Sequence, residues 1–162
     1  MLPCAGMIED GQDIVYRIGA LLGVRQYNRR FLPIQSKATE LSPVEFVVLT
    51  VHQFHLQIFI NGFGGFLFNT DSEFVDFLPI ALAAIGATRY SLLARLAWAD
   101  RTDPEGRFDD QFIELIREEP FDQLLIAYVE RHRDELPDPN LATPEFFAQD
   151  EANRSRWWGE KS

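Results

Sequence analysis

Leu41-Ser42-Pro43-Val44-Glu45-Phe46-Val47-Val48-Leu49-Thr50-Val51 carries the clearest helix-start signal in the chain. The Ser42 hydroxyl can accept from a first-turn N–H, Pro43 suits the first helical position, and Glu45 is placed to reach back and close a capping box. Between Val44 and Ile60 the apolar positions run nearly all the way round a helix. Val44, Val47, Val48 and Val51 define one face, while Phe46, Leu49, Phe59 and Ile60 lie on others. A helix apolar on most faces is a central, buried one. The β-branched content also permits a strand, but the stretch is long for one. The spacing therefore predicts a core helix with other elements packed around it.

Upstream, Asp13 is placed to cap a first helix reaching about Tyr27, with Ile14, Ile18, Leu21 and Leu22 on one face. Gly19 and Gly23 weaken it, each costing about 1 kcal/mol relative to Ala. Downstream, Asn61 to Asn69 reads as a glycine-rich turn amid large apolar residues. Asp71 or Ser72 starts the next helix, Pro79 begins or kinks the run to Ile85, and Gly86 stops it. Thr88 caps a helix to about Ala99 with Leu92, Leu93, Leu96 and Ala97 as its stripe. Phe108, Phe112, Leu115 and Ile116 fit a short helix that ends before Pro120. Phe121, Leu124, Leu125, Tyr128 and Val129 give the most regular pattern of all, closed by Pro137 and Pro139. No run of alternating strands is visible. The expected fold is all-α, a single-domain helical bundle or array of about six to eight helices. Its domain spans residues 1–136, followed by a polar extension over 137–162 that is ordered in part at most.

The chain has 162 residues, enough to bury a core without disulfides or metals. Its 25 acids outnumber its 15 bases, for a net charge of −10. Such a balance disfavours direct contact with nucleic acid or an anionic membrane and favours a basic partner. Cys4 alone can form neither an internal disulfide nor a multi-cysteine zinc site. The N-terminus lacks a basic region and an apolar run, so it does not read as a signal peptide. No uninterrupted apolar stretch reaches membrane-spanning length. A cytoplasmic location is expected.

The charge is unevenly placed. Residues 1–98 hold 8 acids and 7 bases, a net of −1, whereas residues 99–162 hold 17 acids and 8 bases, a net of −9. Within the second part Asp110, Glu114, Glu118 and Asp122 recur every four residues, with Asp103, Glu105, Asp109 and Glu119 close by. On a continuous helix these carboxylates would form a slanting row advancing about 6 Å per step, although Pro120 interrupts it before Asp122. Like charges at this spacing cost a few tenths of a kcal/mol each, so the row is tolerated rather than stabilising. It serves either as a solvated face or as a surface for a basic partner.

Catalytic signals are sparse. His52 and His55 stand three apart, a spacing that can present two imidazoles to one metal, yet no HExxH pattern accompanies them. Partly buried, hydrogen-bonded histidines are the simpler reading. The Asn61–Asn69 glycines have neither the Walker lysine nor the dinucleotide spacing. No metal, no cofactor and no catalysis are expected.

The segment from Ser42 to about Leu136 resembles a bacterial domain-of-unknown-function family that includes a DNA-mimic protein, the DNA-mimic-protein-19-like family. Three features carry the resemblance. They are the capped Leu41–Glu45 helix leading into Asn61-Gly62, the Gly65-Phe66-Leu67-Phe68-Asn69 ending, and Ala81–Ala87 followed by Leu92-Leu93-Ala94. The family usually reads Asn-Gly-Gly-aromatic, whereas here Phe63 follows Gly62 directly. The resemblance implies an all-α fold with Asn61, Gly62, Gly65, Phe66, Asn69 and Gly86 as fold-signature residues. It implies no established catalysis. For the mimic member it implies an acidic surface occupying the DNA-binding face of a transcription regulator. The leading expectation is a non-catalytic acidic domain that binds such a basic surface. A toxin-immunity or adaptor protein and an enzyme with a pocket near the Asn61–Asn69 turn are the alternatives, and a homodimer stays open.

Overall fold

The computed structural model describes residues 11–31, 40–70, 72–99 and 106–159. These form seven α-helices and no strand among the described residues. They are α1 (Gly11–Phe31), α2 (Pro43–Asn69), α3 (Ser72–Ala84), α4 (Thr88–Ala99), α5 (Arg107–Glu118), α6 (Phe121–Arg131) and α7 (Pro144–Gly159). Two 3-10 turns, Arg133–Glu135 and Pro139–Leu141, join α6 to α7. The all-α helical array expected from the sequence is the fold.

Helix α2 begins as its sequence dictates. The Glu45 amide donates to Ser42 Oγ at 3.1 Å, and the Ser42 amide donates to Glu45 Oε1 at 3.0 Å. The other Glu45 oxygen pairs with Arg25 of α1, so one buried carboxylate both caps α2 and ties α1 to it. Helices α1, α3, α5 and α6 all pack on α2, which makes it the axis of the array. Its length and hydropathy would suffice to cross a membrane, but more than half of its apolar window is covered by these neighbours. That is the position of a core helix.

The aromatic residues fill the space between the helices. Phe54 meets Phe66, Phe112 and Phe121 at ring distances of 5.3 to 5.6 Å, joining both halves of α2 to α5 and α6. All four rings are fully buried. Tyr90 of α4 lies 5.0 Å from Phe121, and its hydroxyl donates to the Glu119 carbonyl. Burial beside the Glu119 charge pushes that phenol well above its usual range.

Three local readings are corrected. The Asn61–Asn69 segment is not a turn between helices. Helix α2 runs through it with one break at Gly62, whose φ of 67° and ψ of −174° are open to glycine alone in practice. A Cβ there would also meet the Asp109 carboxylate. That carboxylate accepts the freed Phe63 amide at 2.6 Å and so caps the second half of the helix. Next, Pro79 does not begin a helix but lies inside α3, and its carbonyl accepts from Ser91 Oγ of α4 at 2.6 Å. Finally, Leu92 and Leu96 are not part of the buried stripe of α4. Tyr90, Leu93, Ala94 and Ala97 are buried, and the two leucines stand 63% and 62% exposed.

Gly86 ends α3 as expected, with φ at 88° and the Ala87 amide reaching back to the Leu82 carbonyl at 2.8 Å. Residues 137–159, read from sequence as a polar extension, hold the second 3-10 turn and α7. Tyr16 of α1 stacks on Phe147 of α7 at 6.0 Å.

The Gly62 break sets a sharp contrast between neighbouring glycines. Gly62→Ala should lower the free energy of unfolding by about 1–3 kcal/mol, read as a reduced urea midpoint. Gly64→Ala, in helical backbone with nothing within 4 Å of the added carbon, should raise it by about 0.5–1 kcal/mol.

Candidate functional site: an acidic face and a histidine-lined cavity

Helix α5 buries Phe108, Phe112 and Leu115, with Phe112 against Phe54 and Phe63 of α2, and exposes Asp110, Glu114 and Glu118. The period of four thus places these three carboxylates on the solvent face, about 6 Å of helix rise apart. Asp110 in the first turn is favoured by the helix dipole, whereas Glu118 in the last turn is not. Arg89 of α4 answers that end, lying 3.0 Å from Glu118 and 3.8 Å from Glu119. Among the described residues, no ion pair engages Asp110 or Glu114.

Asp109 and Asp122, read with these acids as one cluster, do not share this face. Asp109 is half-buried and spent on the Phe63 amide. Asp122 follows the Pro120 break, so it begins a new helix and faces a cavity on another side. Asp103 and Glu105 lie outside the described residues. Glu119 is exposed beside Glu118 at the end of α5.

A shallow groove of about 350 Å³ runs between α4 and α5. Leu92, Leu96 and Leu115 give it an apolar wall and floor, and Glu114, Glu118 and Arg89 flank them. The exposed leucines were legible in principle. Tyr90, Leu93, Ala94 and Ala97 satisfy i, i+3, i+4, i+7, which leaves Leu92 and Leu96 off the buried face.

The fold-signature residues are structural. Asn61 donates to Gln57 Oε1 at 2.8 Å, and Asn69 approaches the same oxygen at 3.5 Å, closing the kinked segment on its outer side. Gly65 lets the Asn61 side chain lie against the helix, and Phe66 is fully buried. The segment places Phe63 and Phe66 in the core.

The histidines line a different space. A cavity of about 390 Å³ opens between α1, α2 and α6, bounded by Gln12, Asp13, Tyr16, His52, His55 and Asp122 together with apolar Val15, Leu56, Leu125 and Ile126. His52 is buried against Gly19, where any Cβ would collide with the imidazole. The glycine that weakens α1 as a helix is therefore what admits the histidine. Burial, and secondarily the charge of His55, lowers the His52 pKa to about 4. Burial also lowers that of His55, against the opposing pull of Asp122. The His55 ring meets the edges of Phe59 and Phe121 at 5.4 and 5.2 Å. No group of three or more metal-ligating side chains occurs among the described residues.

Residues 39–146 match the family of DMP19-like proteins, which is more than half of the chain, and the chain belongs to that family. The match contains the kinked α2, the α4–α5 groove and the acidic face. No curated protein and no solved structure matches the chain.

Two measurements separate the structural groups from the free ones. Asp109→Ala should cost about 0.5–2 kcal/mol of stability as a lost helix cap, while Glu114→Gln should stay within about 0.5 kcal/mol. His52 is neutral in the fold, and its pKa rises from about 4 to the ordinary histidine value of about 6.5 on unfolding. Its contribution is therefore complete above pH 6.5 and is lost as pH falls towards 4, by about 3 kcal/mol in all. Replacing it as His52→Leu should flatten the dependence of the urea midpoint on pH in that window.

Proposed function

We propose that this DMP19-like chain is a non-catalytic protein-binding domain whose α5 face takes the place of DNA on the basic surface of a DNA-binding regulator. The observation that carries the reading is the run of exposed carboxylates Asp110, Glu114 and Glu118 on one side of a helix whose other side is locked into the core. A rigid charged face loses little freedom on binding, which is what an electrostatic imitation of a stiff duplex needs.

Charge density bounds the likeness. One DNA strand carries a phosphate per about 3.4 Å of axis, while one face of α5 supplies a carboxylate per about 6 Å of rise. Asp110, Glu114 and Glu118 alone thus give roughly half the density of one strand. Glu119 beside Glu118 raises it at one end. Leu92 and Leu96 in the adjoining groove add apolar area that DNA lacks. Arg89, paired with Glu118 and Glu119, keeps those two carboxylates from repelling each other until a partner's arginine or lysine arrives.

The test is a titration of the chain against a regulator that it captures, with operator duplex as competitor. Binding should weaken steeply as salt rises, because the screening length shrinks from about 10 Å at 0.1 M to about 3 Å at 1 M. The triple variant Asp110→Asn, Glu114→Gln, Glu118→Gln should bind about 3- to 150-fold more weakly, at about 0.2–1 kcal/mol per exposed pair. Duplex and chain should exclude each other. Salt-insensitive binding, or a ternary complex with DNA, would sink the proposal.

A further inference from the structure

The cavity between α1, α2 and α6 contains side chains that the acidic face does not use. Its volume of about 390 Å³ falls within the range of small-molecule sites, about 300–1,000 Å³. Buried His52, Leu125 and Val15 form its deeper part, and Tyr16 and Leu56, both more than two-fifths exposed, stand at its mouth. An apolar space with a few convergent polar groups is the usual form of such a site.

The charges decide what it can hold. Asp13 is answered by Arg17, one turn on in α1, at 2.7 Å. Asp122 accepts only from neutral groups, Gln12 Nε2 at 2.9 Å and the Gln123 amide at 3.0 Å, and has no ion pair among the described residues. Neither Lys nor Arg is among the described residues that line the cavity. The two imidazoles do not supply the missing cation, since burial keeps both in the neutral form at neutral pH. A phosphate or carboxylate ligand would meet Asp122 with nothing to balance it. A neutral ligand would cover Asp122 and strip its water without replacing it.

We propose that this cavity binds a small organic ammonium ion, its N–H groups donating to the Asp122 carboxylate and the His55 ring and its apolar body lying against Leu125, Ile126 and Tyr16. A charge-assisted bond to Asp122 in a half-buried setting is stronger than the same bond in water. A neutral imidazole offers one ring nitrogen as an acceptor, which suits a donor-only ligand head. The Tyr16 ring adds an aromatic surface at the mouth, held in place by its stack on Phe147.

The experiment uses three probes with one body and different heads: 2-phenylethylammonium, 2-phenylethanol and phenylacetate. Each is titrated into the full chain at pH 7.5 while the His52 and His55 imidazole resonances are followed. The ammonium should shift both resonances saturably. The alcohol should bind at least about tenfold more weakly, and phenylacetate more weakly still. Asp122→Asn should weaken the ammonium by about tenfold or more and bind the alcohol at least as well as the unaltered chain does. Leu56→Trp, at the exposed mouth, should abolish binding of all three. Phenylacetate binding as well as the ammonium, an undiminished ammonium affinity in Asp122→Asn, or no shift with any probe would overturn the proposal. The three-probe comparison on the unaltered chain decides the matter even where a variant fails to fold.

Discussion

The hydrogen bond from the Phe63 amide to the Asp109 carboxylate holds together the two parts of the molecule that matter most. Breaking a helix at Gly62 frees backbone groups that a buried site must satisfy. Asp109 comes from α5, 46 residues away, and satisfies one of them. The same side chain sits in the first turn of its own helix, where a negative charge is favoured. One carboxylate thus serves two helix N-termini. The bend it secures brings Phe63 and Phe66 over Phe112 and Phe54, so the aromatic core closes only with this geometry.

With α2 fixed as the axis, the two candidate sites fall on different sides of it. Helix α5 packs on α2 through Phe112 and turns the carboxylates of Asp110, Glu114 and Glu118 outwards. Helices α1 and α6 pack on α2 around His52, His55 and Asp122 and leave a cavity between them. The acids that are neighbours in sequence are thereby sorted into three fates: a helix cap, a charged face and a cavity wall. Pro120 is the switch between the last two, since it ends one helix direction and starts another.

Much of the fold was legible. The capping box at Ser42 and Glu45, the stop at Gly86 and the amphipathic period of α5 rest on local chemistry, which sequence reports directly. The kink was not, because Asn61-Gly62 looks the same whether a chain turns or a helix bends and is capped from afar. The deciding partner, Asp109, is distant in sequence and carries no local mark of its role. Gly19 misled for the same reason: its cost to α1 is local, and its benefit, room for the His52 ring, is tertiary. On the candidate sites, the row Asp110, Glu114, Glu118 followed from helical spacing alone. The assignment of Asp122 to the cavity did not, as it depends on how α6 leaves Pro120.

The kink also governs the order in which the chain can assemble. The part of α2 beyond Gly62 spans only Phe63 to Asn69, too short to persist as a helix by itself. It becomes stable when α5 arrives with its carboxylate, so a local element waits on a contact made across 46 residues. The loop-closure entropy of that contact must be overcome before the segment gains its own hydrogen bonds. In the folded protein the dependence runs the other way. Opening α5 releases the end of the central helix with it, so amide exchange in Phe63–Asn69 and in α5 should belong to one cooperative unit. The charged face is consequently as firm as the core beneath it.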